Sequence, residues 1–233
     1  MQPRTRVRRL RERQVEDRAG LDALLDEELV AHVGVVVDGY PLVLPTIFAR
    51  DGDRLLVHGS TGSGWMRTGA AGAPACLTVT AVDGLVVARS AFESSMRYRS
   101  AVVFGALRQL DASEAAQALD IITDKLLPGR RGEIRASTSL ERRRTLVLAM
   151  SIERWSLKVS DGWPNDVEQD RAGGAWAGVV PLRTVAGSPV PAPDLAAGIP
   201  VPASVTAYVG SRTSWGLGRR GASDIEITGC PPT

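Results

Sequence analysis

Residues 42–67 read LVLPTIFARDGDRLLVHGSTGSGWMR and carry the clearest local structure signal in the chain. Leu42 to Ala49 and Arg54 to His58 are apolar, β-rich runs separated by Asp51-Gly52. That dipeptide suits the tight turns whose twist matches paired strands, so the stretch predicts a hairpin. The second run feeds into His58-Gly59-Ser60-Thr61-Gly62-Ser63-Gly64, with three glycines and three hydroxyl residues. Such a loop leaves backbone amides and side-chain donors free to converge on an anion. Trp65-Met66-Arg67 then begins a short helix whose first amides face the same spot, and Arg67 adds a full positive charge. The combination reads as a phosphate cradle or as an ordinary Gly/Ser surface loop, since the string matches neither the P-loop nor the dinucleotide fingerprint.

Outward from this hairpin, Ala19 to Ala31 sets Leu21, Leu24, Leu25 and Leu29 on one helical face. His32 to Val37, closed by Asp38-Gly39, pairs with the Leu42 run as a first hairpin, and His32 reads as a packed or capped residue. Ala75 to Ala81 and Leu85 to Ala91 flank Asp83-Gly84 and predict another hairpin. Ser94 to Ser100 reads as a polar interruption before a strand over Ala101 to Leu110. Ser113 to Leu127 has helical spacing ended by Pro128-Gly129, Thr138 to Arg144 adds a charged helical turn, and Leu146 to Ile152 reads as the last core strand. Beyond Lys158 glycine, proline and alanine dominate, and only Trp176 to Leu182 looks able to pack. The remainder reads as an extended tail over the body or a neighbour, its last residues, about twenty, mobile. Antiparallel strands joined by hairpins, with helices before and between them, predict an α+β, mainly β protein whose sheet closes or partly closes into a barrel, because closure removes exposed edges.

The bulk composition narrows the function classes. A chain of 233 residues with 44% hydrophobic content buries a real core. Net charge is +2, yet residues 1–18 hold seven arginines against Glu12, Glu16 and Asp17. This arm attracts anions, but the body offers no basic stripe with interleaved aromatics, which argues against specific nucleic-acid binding and for a solvated or partner-clasping arm. No run is long enough to span a membrane, and the arginine-rich start lacks the apolar segment of a secretory signal, so cytoplasm is the expected location. Cys76 and Cys230 are too few for a disulfide framework, and His32 and His58 alone do not make a zinc site.

Four motifs in order, HVGVVVDGYPLVLPT from His32, RDGDRLLVHGSTGSGWMR from Arg50, DGLVVARSAF with SMRYRSAVVFG from Asp83, and WAGVVPL from Trp176, resemble the FMN-binding split-barrel proteins related to pyridoxamine 5′-phosphate oxidase, in particular the nitroimidazole-resistance-like subgroup. The resemblance spans roughly Arg18 to Leu182 and divides the chain into an arm (1–18), a split β-barrel domain with flanking helices (19–182) and a Pro/Gly-rich extension (183–233). It implies a homodimer with FMN in the groove between protomers. Pro45, Thr46 and Ile47 would run beside the isoalloxazine ring; His58, Gly59, Ser60 and Ser63, with Trp65 and Arg67, would hold ribityl and phosphate. Tyr98, Arg99 and Ser100 would approach the flavin from another strand, and Trp176 would pack near it, as a partner's contribution or as a core anchor. Adjacent strand residues face opposite sides, so only one of Tyr98 and Arg99 can reach the ligand.

The chain departs from such relatives at Gly64, where they often carry arginine or lysine, and at Glu93, Ser94 and Arg97, where they tend to carry histidine and asparagine. No catalytic residue is expected, because the redox chemistry belongs to the cofactor. The implied activity is an FMN-dependent oxidoreductase acting on a small molecule with a nicotinamide or deazaflavin donor. The alternatives are a flavin-binding module without turnover, such as a sensor, and a haem-binding split barrel.

Overall fold

The chain enters its sheet as β1 (Gln14–Val15), preceded by a 3-10 turn at Arg11–Arg13. A computed structural model describes residues 5, 6 and 10–213. Helix α1 (Arg18–Glu27) starts where the Asp17 carboxylate accepts from the Ala19 and Gly20 amides at 3.1 and 2.9 Å. It ends four residues earlier than the leucine spacing predicts, because β2 (Val30–Val37) takes Val30 and Ala31 into the sheet. Asp38 and Gly39 both adopt positive φ and turn the chain into β3 (Tyr40–Asp51). Then follow β4 (Arg54–Ser60), α2 (Gly64–Ala70), β5 (Pro74–Val87), β6 (Ser95–Ala106), β7 (Arg108–Gln109) and α3 (Ala112–Leu126). The chain continues through α4 (Ser139–Arg143), β8 (Thr145–Ser151), β9 (Arg154–Ser160), α5 (Glu168–Arg171) and β10 (Gly178–Pro181). These belong to one compact unit, Met1–Thr184; a second, Val185–Thr233, contains α6 (Ala203–Thr213).

The strands form one antiparallel sheet in the order β1-β9-β6-β5-β2-β3-β4-β8-β7, with β10 on β5. The path does not close, and the fold is an α+β split barrel. Its two halves meet in β3: Tyr40 to Ile47 pair with β2, while Phe48 to Asp51 pair with β4. The half containing β4 and β8 is apolar on both faces, which explains the unbroken buried runs Leu55-Leu56-Val57 and Leu146 to Met150. Phe48, Leu55, Val57, Leu148 and Met150 face inward against Val33, Leu77, Val103 and Leu157, with Leu21, Leu24 and Leu25 of α1. Ala49, Leu56, Val147 and Ala149 face outward beneath Ala118 and Ile122 of α3. Asp111 opens α3 with a capping box to Glu114.

Four expectations change. Asp83-Gly84 does not make a hairpin; it is a bulge within the continuous strand β5, because β6 pairs with it from Pro74 to Val86. The turn falls later, where the Ser94 hydroxyl donates to the Ser90 carbonyl at 2.9 Å. The polar stretch Ser95 to Ser100 is therefore strand, its side chains alternating between faces. Leu146–Ile152 is not the last core strand, since β9 follows and joins β1 to β6. In the extension, α6 stands where an extended tail was expected; the residues expected to be mobile, 214–233, lie outside the described ones. Among the described residues no helix is long and apolar enough to cross a membrane.

The segment after β9 is held by one buried ion pair. Asp166, 3% exposed, accepts from the Arg89 amide at 2.7 Å and from Arg89 Nη1 at 2.8 Å. Removing one partner strands the other charge in a partly dry site. Asp166→Ala is expected to cost about 2 kcal/mol, a fall of about 4–8 °C in melting temperature by circular dichroism. An unchanged melting temperature would contradict this role.

Candidate functional site

Strand β3 carries prolines at positions 41 and 45, opposite Val36 and His32 of β2. Proline has no N–H, so both must sit where the backbone points away from β2. By alternation the other edge presents the Val43 amide and the carbonyls of Pro41, Val43 and Pro45. Because β4 joins β3 only from Phe48 onward, that edge has no strand partner among the described residues. The surrounding surface is apolar: Tyr40 is 78% exposed and Val43 64%. Thr46 lies in the same edge segment, its hydroxyl donating to the Ile47 carbonyl at 3.4 Å. An open, apolar strand edge with alternating donors and acceptors suits a flat heteroaromatic ring.

The Phe48–Val57 pairing places His58 beside Ile47, so the loop after β4 starts where the open edge ends. Ser60 Oγ accepts from the Gly62 amide at 3.1 Å, and the Ser60 carbonyl accepts from the Ser63 amide at 3.0 Å. Arg67 folds back, donating from Nη1 to the Gly62 carbonyl at 2.8 Å, and has no carboxylate within ion-pair distance among the described residues. Ser63 caps α2 with backbone only, its hydroxyl making no cap hydrogen bond, and the first amides of any helix lack intrahelical acceptors. Gly59 packs closely on the buried Met66 side chain, where a Cβ would lie 3.1 Å from Met66 Cγ. Gly64 faces open space, with nothing within 4 Å of a Cβ, so a larger residue would fit. On the other side, Ser60 pairs with Thr145, and the Thr61 amide donates to the Arg144 carbonyl at 3.1 Å. This brings the end of α4, Arg142 to Arg144, against the loop.

His58 pairs across to Val147, on the outward face of the sheet. Its ring is partly buried, Nδ1 is enclosed with no hydrogen-bond partner among the described residues, and burial pushes its pKa below the ordinary 6.5. A neutral imidazole with a partnerless buried nitrogen is the kind of group that a bound molecule completes. His32 is different: it is exposed on the outer face of β2.

The remaining expected residues lie elsewhere in the chain. Ser100 shares a hydroxyl contact with Thr80 at 3.1 Å, and the Tyr98 ring lies under Lys158 at 5.8 Å. Arg99 is occupied, bidentate to Asp83 at 2.8 and 2.9 Å and bonded to Glu27 at 2.7 Å, which raises its pKa. These three stand on β6, separated from β3 by β5 and β2. Trp176 covers Gly178 and is 65% exposed. Within one chain, then, the β3 edge and the loop from His58 to Arg67 come together, and Tyr98 to Ser100 and Trp176 do not join them.

A family model for pyridoxamine 5′-phosphate oxidase matches residues 17–159. The chain belongs to the pyridoxamine 5′-phosphate oxidase family. Within that family it is 52% identical to the FAD and haem binding protein from Mycobacterium smegmatis, covering 84% of this chain and 97% of that one with a TM-score of 0.82. It is 35% identical to the flavocytochrome Anf3 from Azotobacter vinelandii, covering 88% and 95%, with a TM-score of 0.83. A protein described as a 5-nitroimidazole antibiotic resistance protein, from Bacteroides thetaiotaomicron, shares the fold at 24% identity and TM-score 0.53, over 63% and 86%. No curated protein matches the chain.

What sequence reading did not single out for this family member is the arginine triplet beside the loop. The string Glu141-Arg142-Arg143-Arg144 was visible as a charged turn, but its position depends on the pairing of β4 with β8. Glu141 in that turn is already engaged: Arg135 and the Thr138 amide and hydroxyl hold its carboxyl down to about 2. For His58, the desolvated ring resists protonation; the folded state therefore loses stability relative to the unfolded one as pH falls from above 6.5 through the lowered pKa. An NMR titration of His58 is expected to show a midpoint below 6.5; a midpoint at or above it would contradict the dry environment.

Proposed function

We propose that this chain is a flavin-dependent redox protein with a haem as second cofactor, working as a homodimer. One observation carries the reading: a strand edge, Pro41 to Ile47, without a strand partner among the described residues leads directly to a donor-rich loop whose Arg67 has no acid partner among them. The first suits the polar rim of an isoalloxazine, the second its phosphate. Support comes also from the two relatives above, named for FAD with haem and as a flavocytochrome. The FMN portion would lie along Pro45 to Ile47, with Ser60, Ser63 and Arg67 on its phosphate.

Flavin, when bound, supplies hydride and single-electron transfer, and haem supplies one-electron exchange. The protein's share is positional. The Val43 amide and neighbouring carbonyls orient the ring, Arg67 neutralises phosphate charge, and exposed apolar side chains such as Tyr40 and Val43 exclude water once a second protomer covers them. His58 fits a haem better than His32 does: its lowered pKa keeps it neutral and able to donate a lone pair, and its ring is half-sheltered. Substrate reduction with a nicotinamide or deazaflavin donor completes the oxidoreductase reading.

The purified protein is expected to show paired visible flavin bands and a Soret band, and to scatter light as a dimer. His58→Ala is expected to abolish the Soret band and keep the flavin, while His32→Ala keeps both. A colourless protein that reconstitutes with neither cofactor contradicts the proposal; loss of flavin with haem retained in His58→Ala would move His58 to the ribityl chain. Arg67→Ala is expected to weaken flavin binding by about 1 to 3 kcal/mol in a fluorescence titration, and unchanged affinity would remove the phosphate from this loop.

A further inference from the structure

We infer that the proline-rich segment between β10 and α6, residues 182–202, docks on a second copy of this chain, its apolar side chains covering the tip of that copy's β2–β3 hairpin. The inference rests on the homodimer reading above and names the segment that is exchanged.

The hairpin tip lacks the support that such a ribbon needs. β5 pairs with β2 from His32 to Val35, and β4 pairs with β3 from Phe48 onward, so residues 36–41 have no strand on either side among the described residues. A two-stranded ribbon is marginal in water unless its faces pack. Strand alternation sets Val36 and Val43 on one face of the hairpin and Tyr40 and Leu42 on the other, so both faces are apolar. Val36 is 57% exposed, and Tyr40 and Val43 more so.

The segment has the complementary character. From Thr184 to Ser211 the one charged residue is Asp194, a composition unlike that of solvated linkers. Residues 182–202 form neither helix nor strand, and prolines at 189, 191, 193, 200 and 202 favour the extended polyproline form. Val190 is 88% exposed, and Val185, Ile199 and Val201 are each more than half exposed. Proline has already restricted this backbone, so docking loses little conformational entropy, and proline-rich stretches seat on exposed aromatic rings such as Tyr40.

The layout of β5 points to a second copy. The segment leaves from β10, which pairs with β5 at Gly84 to Val87, whereas the hairpin tip lies beyond Ala75 at the opposite end of β5. At about 3.4 Å per residue those ends stand roughly 30 Å apart. A two-fold axis that runs the β5 strands of two copies in opposite directions sets the root of each segment beside the tip of the other, the self-complementary pattern of an isologous dimer.

The test compares full-length wild type, a segment variant Val190→Lys/Ile199→Lys/Val201→Lys and a tip variant Val36→Lys/Tyr40→Lys by sedimentation and native mass spectrometry. All five positions are exposed, and unchanged melting temperatures verify the fold. Each variant is expected to raise the dimer dissociation constant about tenfold or more. Mixed in equal amounts, the two variants are expected to form heterodimer well above the random share of about half, because only the mixed pair keeps one intact segment on one intact tip. An unchanged dissociation constant in either variant overturns the inference, as do a wild type that stays monomeric and a heterodimer at the random share, which would seat the segment on its own chain. Cofactor content is read separately by absorbance: a colourless dimer sinks the flavin reading alone, and a flavin-bearing protein with any of these contrary results sinks the exchange alone.

Discussion

Strand β3 serves two sheets in succession, and the hand-over between Ile47 and Phe48 is the constraint on which the rest depends. A buried backbone must spend its amides and carbonyls on partners, and from Phe48 onward the strand pairs with β4, with Phe48 facing the barrel interior and Ala49 facing α3. Residues before it pair on one side only. The prolines at 41 and 45 are tolerated there for the same reason: they fall on the side with no ladder to disrupt. One strand thus builds the core with its C-terminal third and leaves a free edge with the rest.

The functional elements hang from that hand-over. The loop from His58 begins beside Ile47 because β4 is in register with the buried part of β3, and Met66 anchors it by filling the space that Gly59 leaves. Pairing of β4 with β8 then draws the arginine turn against the loop. Ion pairs elsewhere, such as Arg50 with Asp26 and Arg99 with Asp83, hold helix and bulge in place.

Much of this was legible in residues alone. The apolar runs on either side of Asp51-Gly52 and the positive-φ turn at Asp38-Gly39 depend on local chemistry, and the Gly/Ser loop announced itself through composition. Asp83-Gly84 misled because a long partner strand can absorb a turn dipeptide as a bulge, and the Arg99 clamp on Asp83 rewards that choice. Strand β9 was overlooked although Trp155, Leu157 and Val159 alternate with Ser156 and Lys158, a clean two-residue period. The triplet Arg142–Arg144 was visible, but no local pattern states which loop it touches. Tyr98, Ser100 and Trp176 entered through family resemblance, and the sheet order keeps them from the β3 edge of their own chain.

The most direct measurement is a crystal structure of the protein grown with saturating flavin. The account predicts the ring along the Pro45 to Ile47 edge and the phosphate nearest the ribityl chain bonded by Ser60, Ser63 and Arg67. A flavin seated elsewhere, with that edge bare and the loop closed on its own side chains, would contradict it.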